Sequence, residues 1–190
     1  KKVFVENRYE APVADPDLST STGMVGADSV AWANGYYGAG SKVMIIDTGT
    51  NQDHISFDPE AFEYALTKDG KSLEDYDLLT QAGVAAVADQ LNAPIEAASA
   101  YKNSKIPFAY NYIDGNYTTD HSADSQGEHG SHVSGIAAAN RYVKQNGVIV
   151  PALDSVLAIG VAPDAQILTA KVFGAGGGAY DSDYFSAIED

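Results

Sequence analysis

The sequence predicts an α/β fold, with a mostly parallel sheet and helices on both of its faces. Three stretches carry that expectation. Val43-Met44-Ile45-Ile46-Asp47-Thr48-Gly49 is an apolar run that ends in a carboxylate and a glycine. A buried parallel strand takes this form when it delivers an acid to the edge of a sheet. Residues 166–173 are a second apolar run, which feeds Gly174-Ala175-Gly176-Gly177-Gly178-Ala179. Between them His129 stands ahead of the small-residue segment Ile136-Ala137-Ala138-Ala139, which has the composition of a tightly packed helix. Strands alternating with helices is the pattern of a parallel sheet covered on both sides.

Residues 1–23 form an extended, turn-rich arm in this reading, with Pro12, Pro16 and the Ser19-Thr20-Ser21-Thr22-Gly23 run giving little periodicity. Val3-Phe4-Val5 suits a short edge strand. Residues 26–34 predict a short helix with Asp28 or Ser29 near its start, and Trp32 is expected to be a packing residue. A glycine-tyrosine turn over 35–40 leads into the strand 42–46. Leu78, Leu79, Ala82, Ala85, Ala86, Asp89 and Gln90 fall in a helical rhythm. Pro94 interrupts it, and a second helical stretch covers 95–101. Residues 106–113 alternate with aromatics as a strand does, closed by the turn Asp114-Gly115-Asn116. The polar tract 114–128 is expected to be an exposed loop, with His121 exposed in it. A helix over 132–140 follows, then a mostly apolar stretch containing Val148-Ile149-Val150-Pro151. Residues 181–190 begin another helix. No internal repeat is apparent.

Composition excludes several classes of function. The 190 residues suffice for one domain with a substantial core, and 45% of them are hydrophobic, as in folded globular chains. A formal net charge of -15 with no Lys/Arg patch argues against nucleic-acid binding. The acidity is spread through loops and suits solubility outside the cell. The absence of cysteine excludes a disulfide framework, a thiolate zinc site and a cysteine nucleophile. No apolar run approaches the roughly 20 residues that would span a bilayer, and no signal peptide opens the chain.

Asp47 at the end of a buried strand and His129 at the start of a helix are two members of a hydrolytic triad, in which an acid fixes the tautomer of a base. His132 lies three residues further on and is expected to pack or hydrogen-bond within the helix. Reading the two histidines as zinc ligands fails on spacing, because Glu128 precedes His129 and the His-Glu-x-x-His order is absent. Clustered carboxylates in 114–128 suit a hard cation, but the EF-hand spacing is absent and no metal site is predicted. Ser131 and Ser134 lie inside the histidine segment and cannot stand opposite it. No Gly-x-Ser-x-Gly elbow occurs.

Ile46-Asp47-Thr48-Gly49 resembles the aspartate motif of the subtilisin-like serine proteases, the subtilases. His129-Gly130-Ser131-His132-Val133-Ser134-Gly135 resembles their histidine motif. Gly160-Val161-Ala162-Pro163-Asp164-Ala165, followed by Ala170-Lys171-Val172-Phe173-Gly174, resembles the strand entry that comes next in the family. Tyr101-Lys102-Asn103-Ser104-Lys105-Ile106-Pro107-Phe108 and Asn111-Tyr112-Ile113-Asp114-Gly115-Asn116 are most similar to the lactocepin-type cell-envelope proteinases of Gram-positive bacteria. The resemblance runs from about residue 35 to the end.

The resemblance implies a subtilisin-like three-layer sandwich, incomplete in this chain: a processing arm over 1–23 near a propeptide junction, then the N-terminal part of a catalytic domain over 24–190. Residues 68–105 and 141–157 stand as insertions relative to a minimal subtilase. It implies extracellular peptide hydrolysis by Asp47 and His129. The serine and the oxyanion-hole asparagine are expected from sequence beyond Asp190, in one chain or in the second chain of a nicked protease, and the fragment alone is expected to be inactive. Gly176, Gly177 and Gly178 are expected to cradle the substrate just before the scissile bond, since glycines let a peptide strand add closely to an edge. His54 matches a position that is structural in the family. No cofactor is required. A family calcium site is not predicted, because Ser56 stands where the family often has an aspartate and the 141–157 stretch has only Asp154 as a carboxylate. The implied partners are a protein or peptide substrate and the segment bearing the serine. The rival reading is an inactive homologue that binds peptides along the same cleft, which the retained Asp47 and His129 disfavour.

Overall fold

The computed structural model describes residues 6–10, 22–122, 124–125, 127–156 and 158–190. In chain order it contains β1 (Arg8–Glu10), β2 (Lys42–Asp47), α1 (Pro59–Thr67), α2 (Gln81–Val87), α3 (Ala97–Ala100), β3 (Phe108–Asn111), α4 (His129–Ala138), β4 (Tyr142–Gln145), β5 (Val148–Pro151), β6 (Gln166–Lys171), β7 (Gly178–Tyr180) and α5 (Asp181–Glu189). The expected strand at Val3-Phe4-Val5 lies outside the described residues.

The central sheet is parallel, in the order β2-β6-β3, and the register aligns Asp47 and Asn111 with Lys171 at its C-terminal end. Strand alternation sorts its side chains into two cores. Met44, Ile46, Phe108, Tyr110, Leu168 and Ala170 face one side, where Val84 of α2, Ala100 of α3 and Ala187 of α5 pack on them. Val43, Ile45, Ala109 and Ile167 face the other, against Val133, Ala137 and Ala138 of α4. Helices cover both faces, as the sequence predicts for an α/β chain. Asp47 continues the series of Val43 and Ile45, so the pleat turns it toward α4.

Capping explains where the peripheral helices begin. Asp58 accepts from the Ala61 amide at 2.8 Å ahead of Pro59 in the first turn of α1. Phe62 of that helix is fully buried, worth roughly 1.5–3 kcal/mol. Helix α2 is shorter than the rhythm over 78–90 predicts. Gln166 accepts from the Leu79 amide at 2.7 Å and donates to its carbonyl at 3.0 Å, which holds Leu79 out of the helix. Thr80 then caps α2, and a 3-10 turn over Ala88–Gln90 follows it. Of the stretch 95–101 only Ala97–Ala100 is helical.

The expected helix over 26–34 is a π turn over Ala27–Ala31 and a 3-10 turn over Trp32–Asn34. Trp32 does pack, stacked on Tyr37 with its indole donating to the Val161 carbonyl at 3.0 Å. Residues 142–151 form an antiparallel hairpin around Asn146 (φ 52°) and Gly147 (φ 79°). Both central residues have positive φ, as a type I′ turn requires. Lys105 is fully buried, donating to the Pro163 and Ala165 carbonyls, and burial pushes its pKa down to about 7.

Candidate active site

Helix α4 begins at His129 itself, three residues before the expected start, so His129 occupies its first turn beside the end of β2. His129 Nδ1 lies 2.8 Å from Asp47 Oδ1, with side chains 14% and 12% exposed. With Nδ1–H donated to the carboxylate, Nε2 is the basic nitrogen left for proton transfer. The Thr48 amide donates to the same Asp47 oxygen at 2.7 Å.

Two glycines make this approach possible. A Cβ on Gly130 would lie 2.0 Å from the Gly49 carbonyl oxygen, and one on Gly49 (φ +107°) would lie 2.1 Å from the Thr119 carbonyl oxygen. Backbone therefore packs on backbone at the junction of sheet end, helix start and loop. Side-chain hydroxyls stitch the junction together. Thr48 Oγ1 accepts from the Gly130 amide at 2.8 Å, Ser131 Oγ accepts from the Asn51 amide at 2.8 Å, and Thr50 and Ser134 share a hydrogen bond of 2.7 Å. Ser131 and Ser134 thus serve the histidine helix, and neither faces His129 as a nucleophile would.

The tract 114–128 departs from the expected exposed loop. Thr119 is buried and its carbonyl accepts from the Thr50 amide at 2.9 Å. His121, expected to be exposed, is 5% exposed, with Nε2 2.9 Å from Ser131 Oγ. Ser131 Oγ thus bonds both the Asn51 amide and His121 Nε2, which leaves Nδ1 as the other nitrogen of the His121 ring. Among the described residues that Nδ1 has no partner. Burial lowers the His121 pKa, against a weaker upward pull from Glu128 and its neighbours. Polar composition suggests an exposed loop; only the packing of Thr119 against Gly49 shows that it is tucked under the sheet end.

The other histidines lie apart from this pair. His54 caps a 3-10 turn, accepting from the Ser56 amide at 3.2 Å, as a structural residue would. His132, expected to pack or hydrogen-bond within its helix, is exposed and lines a recess with His54, Phe57 and Gly135. Among the described residues no group of three or more histidine, cysteine, aspartate or glutamate side chains is arranged to hold a metal ion.

The glycine segment leads into β7 beyond the sheet. Gly176 is exposed, while Gly177 and Gly178 are buried. The outer edge of β7 is paired antiparallel with β1 in the register Arg8↔Tyr180, Tyr9↔Ala179 and Glu10↔Gly178. A Cβ on Gly178 would meet the Arg8 guanidinium at 2.5 Å. This edge therefore holds an extended peptide, and that peptide is the chain's own arm.

Sequence reading missed Thr48, Thr50, His121 and Lys171 as parts of this arrangement. Thr48 could have been found by its place directly after the acid. The others are brought in by tertiary packing alone.

A model of the subtilase family matches residues 38–190. The chain is similar to the PII-type proteinase of Lactococcus lactis subsp. cremoris, at 35% identity over 166 residues, which is 86% of this chain and 7% of that protein. The PII-type proteinase of Lacticaseibacillus paracasei is also 35% identical over 166 residues, with the same coverage. The minor extracellular protease Vpr of Bacillus subtilis (strain 168) is 26% identical over 179 residues, 92% of this chain and 15% of that protein. The chain thus spans 7% of the length of its lactococcal relative. Among the described residues no helix is long and apolar enough to cross a membrane.

Proposed function

The chain belongs to the subtilase family, and on that premise we propose that it is the N-terminal part of the catalytic domain of an extracellular, cell-envelope-type serine endopeptidase. The observation that carries this is the 2.8 Å contact between Asp47 Oδ1 and His129 Nδ1. Asp47 holds the imidazole in one tautomer and stabilises the imidazolium. His129 Nε2 takes the proton of a serine hydroxyl as it attacks the peptide carbonyl, then gives it to the leaving amine. The serine and the oxyanion-hole asparagine are supplied by sequence beyond residue 190, in the same polypeptide or in the second chain of a nicked protease. The 190 residues alone are inactive for want of that nucleophile.

Gly176, Gly177 and Gly178 form the edge that takes the substrate as an added strand. Of the three, Gly178 opens β7, whose pairing with Arg8–Glu10 supports that use because it accommodates extended backbone, while Gly176 and Gly177 precede the paired residues. No cofactor enters the mechanism. The extracellular location rests on the likeness to a protease named as extracellular.

Covalent labelling of the complete protein with a fluorophosphonate probe tests the reading. The expected result is labelling that His129→Ala abolishes. On a peptide substrate, Asp47→Ala lowers kcat about 10⁴-fold and His129→Ala lowers it more. A label on a separate chain supports the nicked form, and a label on one long chain discards the nick. Folded, arm-free protein that takes no label overturns the protease and favours a peptide-binding homologue.

A further inference from the structure

Lys171 is a buried cation that the hydrolytic reading does not use. It closes β6, in register with Asp47 on β2 and Asn111 on β3. The pleat turns it toward α4 with Ile167 and Thr169, and its side chain is 3% exposed. Its Nζ donates to the Thr48 carbonyl at 2.6 Å and pairs with the Asp124 carboxylate, itself 5% exposed.

Thr48 is fully buried, and each of its polar groups has a different duty. Its amide donates to Asp47 Oδ1 at 2.7 Å, its hydroxyl oxygen accepts from the Gly130 amide at 2.8 Å, and its carbonyl accepts from Lys171. The acid, the residue after the histidine and the lysine all converge on this one residue. Burying an ammonium and a carboxylate is costly, and an apolar pair of similar volume is often as stable or more so. Stability therefore gives no reason for an ion pair here, whereas orientation of the Thr48 peptide does.

We propose that Lys171 is a positioning residue for the Asp47–His129 pair, acting through the Thr48 carbonyl while Asp124 holds its ammonium in place. The ammonium fixes the rotation of the Thr48–Gly49 peptide. Holding that peptide holds Thr48 itself. Its own N–H lies in the preceding Asp47–Thr48 peptide and meets the Asp47 carboxylate, and its hydroxyl meets the start of α4. Lys171 touches no reacting atom. Its effect rests on the proposed roles of Asp47 and His129, although the geometry it controls does not.

The variant to make in the complete protein is Lys171→Met with Asp124→Asn. Lys171→Met alone strands a buried carboxylate and threatens folding, whereas the double variant removes both charges together and leaves the net charge around His129 unchanged. The main readout is the pH dependence of His129 modification by diethyl pyrocarbonate, followed by peptide mass spectrometry, which needs no serine. A less well oriented Asp47 stabilises the imidazolium less, so the inflection of the double variant is expected below the parent's. In peptide hydrolysis kcat falls on the order of 10- to 100-fold, with KM within about twofold. A folded double variant with the parent's inflection overturns the proposal. Should the parent itself take no fluorophosphonate label, the protease reading fails, and the inflection still decides the role of Lys171.

Discussion

Gly130 sits where α4 meets the turn after Asp47, and a methyl group there would come within 2.0 Å of the Gly49 carbonyl oxygen. That obstacle is backbone, and backbone cannot swing aside as a side chain end does. Gly130→Ala is therefore expected to push His129 away from Asp47 and to destabilise the fold by about 1–3 kcal/mol. Gly135, one and a half turns along the same helix, has nothing within 4 Å of an added Cβ. There the intrinsic helix preference of alanine operates unopposed, and Gly135→Ala is expected to stabilise by about 0.5–1 kcal/mol. Denaturant midpoints of the two variants check the pair. Equal effects would show that the close approach at Gly130 does not constrain the helix.

Among the elements, the loop ahead of α4 depends most on protonation. His121 joins it to α4 through Ser131, and burial lowers the folded-state pKa of His121 below its ordinary value. The unfolded chain takes up this proton as the pH falls through about 6.5, while the folded chain does not. The unfolded state then binds more protons, so stability contributed by neutral His121 is present above that pH and is lost below it. Thermal midpoints of the parent and His121→Asn between pH 7.5 and pH 5 are expected to converge as the pH falls. A difference that stays constant over that range would contradict the buried, neutral assignment. At neutral pH the loop holds Thr119 against Gly49 and Asp124 against Lys171, so its loosening in acid reaches the Asp47 turn directly.

For the whole molecule, the arm is the part whose role depends on its partner. Among the described residues Arg8–Glu10 pairs with β7 alone, and the Asn7 amide is anchored by the Asp181 carboxylate at 2.9 Å. Among the described residues no strand of the central sheet hydrogen-bonds to β1 or β7. Removal of residues 1–10 is expected to speed amide hydrogen exchange over Gly178–Tyr180 while leaving the amides of β6 unchanged. Faster exchange throughout β6 as well would mean that the arm supports the core and does more than cover an edge. In the proposed protease the freed edge is the one that a substrate strand would take.

The sequence by itself determined the parts that depend on local periodicity and on motif. The apolar runs 43–47 and 166–173 specify buried parallel strands, because a strand covered on both faces has no polar side to alternate. The family followed from the Asp47 and His129 segments, and the Asn146-Gly147 turn was equally legible although the sequence reading passed over it. The structure decided what depends on distance between remote residues. Polar composition cannot tell an exposed loop from one pinned under a sheet, so His121 and Thr119 are placed by tertiary contacts, the bond to Ser131 and the packing against Gly49. Helical rhythm cannot see that Gln166 competes for the backbone of Leu79. The joining of Asp47, Thr48, Gly130 and Lys171 into one hydrogen-bonded unit spans 124 positions of the chain. Only a sheet register that sets Asp47 beside Lys171, under a helix with no side chain at Gly130, brings them together.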